Sequence, residues 1–284
     1  MSLKHDLYGL LVNDDGANGQ SPQSWSSLWD SVDNSGSASP PAPVQVAASS
    51  PPALYVGPGG LADISVADIH QGQIGDCFLL SSIGELALMD PQFISNMIQV
   101  NADGTETVTL YAGASGQVPT YGATLYQPVQ INVTNNFPSN AVNGGASPDS
   151  ANGIWVQVLE KALATLDGGY GVIAGGGNPM IPLEELTGQA ASYIPITSPS
   201  SLTPQIVQSY DPTHDLIVMD TSSRSGLSYN LVSNHAYIYE GATVQNGTTM
   251  VQLGNPWGFH QPGLIPLSQL SQAGIVEIDV GRYG

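Results

Sequence analysis

Gln71-Gly72-Gln73-Ile74-Gly75-Asp76-Cys77-Phe78-Leu79-Leu80 contains the only cysteine of this 284-residue chain. Gly75 and Asp76 read as a turn and a helix N-cap, and Cys77 opens an apolar run that continues through Ile83, Leu86 and Leu88. A thiol on the first turn of a helix meets the positive end of the backbone dipole, which favours its thiolate. Gln71, six residues upstream, can aim a side-chain amide beside that sulfur from a folded-back loop. A lone cysteine is more often a small buried hydrophobe than a nucleophile, so its surroundings must decide.

Outward from this segment, helices are expected at Cys77–Met89 and Pro91–Gln99, and strands at Thr107–Tyr111 and Val129–Val133. A second helix runs from about Gly153 to Leu166, with Trp155, Val158, Leu159, Ala162 and Leu166 on one side and Gly168-Gly169 as its stop. A short helical piece follows at Leu183–Leu186. Strands then dominate: Leu216–Asp220, His235–Glu240, Met250–Leu253 and Ile275–Val280. A helical half with the thiol, then a sheet half, makes an α+β chain whose cleft lies between the halves. The expected organisation is a helical subdomain over 54–196 and a β-rich subdomain over 197–284. Residues 1–53 precede them as a separate segment. There, Trp25, Leu28, Trp29 and Val32 form one face of a short helix, which docks on the core or on a partner, and the Pro/Ser/Ala-rich stretch 34–53 is a linker. A pro-segment role for 1–53 and a plain packing role are both open.

Four basic residues against 23 acidic ones give a formal charge of −19. Such a field repels phosphate backbones and anionic lipid, which argues against nucleic acid and membrane surfaces as partners. No stretch approaches the ~20 apolar residues of a membrane span, and the N-terminus lacks a signal-peptide pattern. The compartment stays open between secretion from bacteria without a cleaved signal and the cytoplasm. With a single cysteine no intramolecular disulfide can form.

An enzymatic thiol needs a base, and the base needs an orienter. Of five histidines, His5 lies near the terminus, His70 adjoins Gln71, and His214 and His260 sit in turns. His235 opens a strand in Ser233-Asn234-His235-Ala236-Tyr237, and the next strand ends in Gly254-Asn255-Pro256-Trp257-Gly258. Adjacent antiparallel strands would place Asn255 beside His235, where its carbonyl accepts from one ring N–H and leaves the other nitrogen for the sulfur. Trp257 can cover that hydrogen bond. Taken singly, His235 reads as a structural histidine and Asn255 as a turn residue.

Taken together, these pieces resemble the calpain-family cysteine proteases, of the bacterial calpain-like type. QGQIGDCFLL, NHAY and GNPWG resemble that family's nucleophile, histidine and asparagine motifs. Trp155–Ala162 followed by Gly168-Gly169-Tyr170, and Leu186-Thr187-Gly188, resemble two further signatures in the same order. The resemblance covers about 54–284. It implies a papain-like two-lobed core that hydrolyses peptide bonds of a protein or peptide substrate. Cys77 would be the nucleophile, His235 the base and then the acid, Asn255 its orienter, and Gln71 an oxyanion donor with the Cys77 N–H. Gly75, Asn234 and Trp257 are the expected substrate-binding positions. A catalytically inactive peptide-binding module and a cysteine amidase or acyltransferase on the same scaffold are the alternatives.

Several positions depart from the family pattern. Phe78 replaces a tryptophan, Asn234 a glycine and Gly254 an arginine. Calcium-dependent members bind the ion through acids in both halves. Asp68 matches one of these, but Gly171 stands where a glutamate is expected, and Phe259, His260 and Gln261 follow the Asn255 turn. A hard cation wants several oxygen ligands. The expectation is therefore no required cofactor; calcium stays possible, with an incomplete ligand pattern in which only Asp68 is retained.

Overall fold

The computed structural model describes residues 53–55, 61–113, 126–144, 153–196, 211 and 213–284. The expected helix around Trp25 and Trp29 and the linker up to residue 52 lie outside them. Residues 50–284 form one compact unit.

Helix α1 spans Cys77–Met89 and α2 spans Pro91–Met97, followed by strands β1 (Ile98–Val100), β2 (Glu106–Gly113) and β3 (Tyr126–Val133). Next come α3 (Trp155–Asp167), α4 (Tyr170–Ile173), α5 (Met180–Thr187) and β4 (Ser192–Pro195). The chain ends through β5 (Asp215–Thr221), β6 (Ala236–Gln245), β7 (Thr248–Gly254), β8 (Ile265–Pro266), α6 (Leu270–Ala273) and β9 (Ile275–Arg282). The strands make two antiparallel sheets, β1-β2-β3 and β4-β9-β5-β6-β7-β8. The architecture is α+β and papain-like.

Every residue of α1 from Phe78 to Ala87 is buried, as in a helix that is apolar nearly all round and enclosed by its fold. Leu88 breaks the expected run and is exposed. The helix lies on the large sheet, and a Cβ on Gly84 would overlap the Ile238 side chain, so a hydrogen is all this crossing admits. A buried acid locks the contact. The two Glu85 carboxylate oxygens accept from Ile217 N (3.0 Å) and Tyr239 N (3.2 Å), bonding β5 and β6 at the end of their ladder.

Alternation along β5 divides two cores. Leu216 and Val218 join α1, α3, α5 and the small sheet in one apolar cluster. Ile217 and Met219 join Tyr237, Tyr239, Val251, Leu253, Leu270 and Ile278 in the other. Burial of one such side chain contributes roughly 1.5–3 kcal/mol. Helix α3 ends at Gly168, whose left-handed backbone (φ 103°) lets its N–H reach the Ala164 and Thr165 carbonyls.

The second helix stops at Met97, short of Gln99, because residues 98–100 pair with Val108–Glu106 instead.

Candidate active site

The loop ahead of α1 is tied down from both sides by main-chain bonds. Gln71 N donates to Pro256 O (2.8 Å), Gln73 N to Asn140 O (2.8 Å) and Asn143 N to His70 O (2.8 Å). Gly72 passes so close to the Asn140 and Ala141 carbonyls that any Cβ would overlap them. Chain segments distant in sequence thus hold the residues before Cys77 in place.

Asp76 occupies the N-cap position of α1, but its side chain makes no cap hydrogen bond, contrary to the expected role. It turns inward, fully buried, and accepts from Gln71 Nε2 (3.1 Å) beside Glu160. Burial pushes Asp76 up to about 6, opposed by its hydrogen bonds to Glu160 and Gln71. Burial and the neighbouring Asp76 charge push Glu160 up to about 9. Two carboxyls in one enclosed space therefore hold one proton between them near neutral pH, and it resides on Glu160. Glu160 also accepts from Val142 N (2.9 Å) and the Tyr170 hydroxyl (3.3 Å).

Gln71 is used differently from expectation. Its amide nitrogen donates to Ile74 O (2.8 Å) and to Asp76, occupying both hydrogens, while its buried Oε1 has no partner. Donation to a substrate oxygen requires this side chain to swing off Ile74 and Asp76.

Cys77 starts α1 and retains partial exposure. Burial pushes its thiol up to about 11; a backbone hydrogen bond from Ala236 opposes this, and the Asp220 and Asp76 charges add to it. The expected depressed thiol is therefore reversed. Desolvation and two nearby carboxyls outweigh the helix dipole.

His235 immediately precedes β6, with Asn234 ahead of it in the left-handed region (φ 51°), a conformation asparagine tolerates. Its Nε2 lies 2.9 Å from Asn255 Oδ1. The amide orientation follows from its network: Asn255 Nδ2 donates to His260 O (3.1 Å), and Trp257 N donates to Oδ1 (3.0 Å). Facing an acceptor, Nε2 carries the proton, and Nδ1 keeps the lone pair. The imidazole is boxed between Tyr237 (centroids 4.9 Å, edge-on) and Trp257 (4.8 Å). Burial lowers His235 to about 4, with the Asn255 bond opposing and His260 reinforcing the shift. At rest the pair is a neutral thiol and a neutral imidazole.

The structure brings Asn255, Trp257 and His235 together, and it sets Gln71 against the Asn255 turn through the bond to Pro256. Gly75 lies against the Ala174 carbonyl, where a Cβ would come within 2.8 Å. Two supporting residues went unread in the sequence. Gln261 accepts from Asn255 N (2.8 Å) and donates to Asn255 O (3.3 Å), clamping the residue bonded to the imidazole. Thr221 Oγ1 accepts from His235 N (3.0 Å) and donates to Val232 O (2.7 Å). Neither lies in a motif: Gln261 folds back on Asn255 six residues along, and only the pairing of β5 with β6 brings Thr221 to His235.

Asp68, the retained family acid, serves the fold. Its Oδ2 accepts from Ser65 N (3.0 Å) and from the indole Nε1 of buried Trp155 (3.0 Å). With Gly171 and Phe259 at the other positions, the residues present do not fit calcium there.

A thiol helix laid across an antiparallel sheet that carries an imidazole and an amide is the arrangement of papain-like cysteine proteases. A profile of the calpain family cysteine proteases matches residues 48–262. The chain is 29% identical to calpain clp-1 of Caenorhabditis elegans over 216 residues, covering 72% of this chain and 26% of that protein. It is 29% identical to human calpain-8 over 205 residues, 67% of this chain and 28% of the relative. A third match is the calpain-type cysteine protease ADL1 of Oryza sativa subsp. japonica, 28% identical over 80% of this chain and 10% of its own length. This chain belongs to the calpain family of cysteine proteases. It spans little more than a quarter of the length of the first two relatives.

Proposed function

We propose that the chain is a cysteine endopeptidase in which Cys77 attacks the peptide carbonyl and His235 moves the proton. The observation that carries this reading is the Nε2–Asn255 hydrogen bond, which leaves Nδ1 as the free basic nitrogen of a ring next in sequence to Ala236, the residue bonded to the thiol. The sulfur adds to the carbonyl carbon as its proton passes to His235 Nδ1, giving a tetrahedral oxyanion. The C–N bond then breaks, the amine leaves with that proton, and a thioester remains. Water, deprotonated by His235, opens the thioester, releasing the acid and restoring the thiol.

The resting thiol lies far above the imidazole, so ionisation belongs to the substrate-bound state and not to the free enzyme. Gln71 joins the Cys77 N–H as oxyanion donor once its amide leaves Ile74 and Asp76. Gly75, Asn234 and Trp257 border the substrate. The chemistry uses only side chains of this chain and requires no calcium at Asp68, Gly171 or the Asn255 turn.

Casein digestion by the full chain, followed on a gel, tests the proposal. Wild type is expected to generate fragments, and Cys77→Ala and His235→Ala to generate none. Equal digestion by Cys77→Ala would overturn it.

A further inference from the structure

The mechanism leaves three acids beside the thiol unused. Across the large sheet, Ala236, Asp220 and Glu277 are register partners on β6, β5 and β9, and Asp279 is paired with Val218 one step along. These residues share the sheet face that Val218 and Ala236 turn toward α1. One carboxylate oxygen from each of Asp220, Glu277 and Asp279 lies within 4.8 Å of the others. Asp279 is completely enclosed, and no donor from outside the group reaches either of its oxygens; its one partner is the Glu277 carboxyl.

No basic side chain among the described residues answers this charge. Lys161 is held by the Thr134 and Asn136 carbonyls, Arg224 by Gln272 O, and Arg282 by Asp215. The one donor that reaches the group is neutral: Asn178 Nδ2, 3.1 Å from Glu277 Oε1. Crowded carboxyls without a counter-charge must hold protons, and all three are raised by burial first. The Glu277 charge adds to this for Asp220, and the Asp220 and Glu277 charges add to it for Asp279, whereas hydrogen bonds to Asn178 and Asp279 oppose it at Glu277. An ion that replaces those protons would reverse this logic.

We propose that Asp220, Glu277 and Asp279 hold a hard divalent cation next to Cys77. Ligands at about 2.3–2.6 Å from one ion stand at most roughly 5 Å apart, which is the spacing observed. An all-carboxylate set selects calcium, magnesium or manganese over thiolate- and imidazole-seeking metals. An enclosed Asp279 admits an ion more readily than the long stem of a substrate lysine or arginine. The site is separate from Asp68, Gly171 and the Asn255 turn. Bound there, the cation would cross-link β5 to β9 and set positive charge near a thiol whose ionisation is opposed above all by burial. The proposal stands apart from the protease reading, because binding is measured without turnover.

The test is calorimetric titration of the full chain, stripped with chelator, using calcium, magnesium and manganese chlorides in turn, with melting curves alongside. Wild type is expected to bind at least one of them saturably, one ion per chain, with a raised melting temperature. Asp279→Asn and the partly exposed Glu277→Gln are each expected to weaken that binding roughly tenfold or more, as loss of a charged ligand does, and to lose the melting shift. Glu277→Gln keeps the test open should Asp279→Asn fail to fold. No saturable binding by wild type overturns the proposal, as does binding unchanged in both variants, which would place the ion elsewhere. A preference for basic substrate side chains, lost in the variants while metal binding stays absent, would assign the acids to substrate instead.

Discussion

A cysteine at a helix start is expected to be acidic, yet Cys77 is pushed up to about 11 while His235 falls to about 4. Carbamidomethylation by iodoacetamide should therefore accelerate steadily through the alkaline range in the free protein. A plateau below about pH 7, the mark of an ion-paired thiol, would show that the resting pair is already charged. Gln71 separates binding from chemistry in the same way. Its amide stabilises Asp76 at rest and is assigned to the oxyanion in the reaction, so Gln71→Ala should slow turnover by roughly 100-fold or more and leave the fold standing. A loss under about threefold, well short of that range, would remove it from catalysis. Local chemistry exposed the motif residues, because each is unusual for its setting. The inward turn of Asp76 could not be read, since its partner Glu160 lies 84 positions away and nothing local distinguishes a capping aspartate from a buried one.

Helix α1, which begins with Cys77, is anchored by one acid among apolar neighbours. Glu85→Ala leaves Ile217 N and Tyr239 N buried without acceptors and should destabilise the fold by about 3 kcal/mol or more, measured by urea unfolding. A change within about 0.5 kcal/mol, as at an uninvolved surface site, would mean that water or a neighbour replaces the carboxylate. Elements whose own residues carry the signal were legible: α1 between Gly75 and Asp90-Pro91, α3 up to Gly168, β5 and β9 by their apolar runs. Elements made by their partners were not. β4 has no alternation of its own and exists because Ser192–Pro195 pairs with Val280–Glu277. The expected piece at Leu183–Leu186 begins three residues earlier, at Met180, because Pro182 sits in the first turn, where a missing N–H breaks no helical bond. Strand β6 runs on to Gln245 because the hairpin with β7 extends it.

At the scale of the molecule, buried acid governs stability. Asp76, Glu160 and Asp220 are raised to about 6, 9 and 8, whereas in the unfolded chain such groups lose their protons near pH 4. Between those limits the folded form holds protons that the unfolded form does not, so stability falls as pH rises. His235 acts oppositely, but only between about pH 4 and its ordinary 6.5, where falling pH destabilises the fold. From about pH 6.5 to 9 only the raised groups contribute. In chelator, the melting temperature should decline across that window, less steeply in Glu160→Gln. A flat or rising profile would mean that these acids are already ionised in the native state.

The Gln71-to-Pro256 bond has one further consequence. Joining amide to carbonyl, it uses no side chain, so replacements at residue 71 other than proline, and any at residue 256 that preserve the turn, leave it intact. The alignment of the thiol-bearing strip with the turn that carries the imidazole's amide partner is thus written into the peptide backbone, beyond the reach of most point mutations. A variant that loses this alignment must do so by bending the chain, and not merely by exchanging one residue type for another.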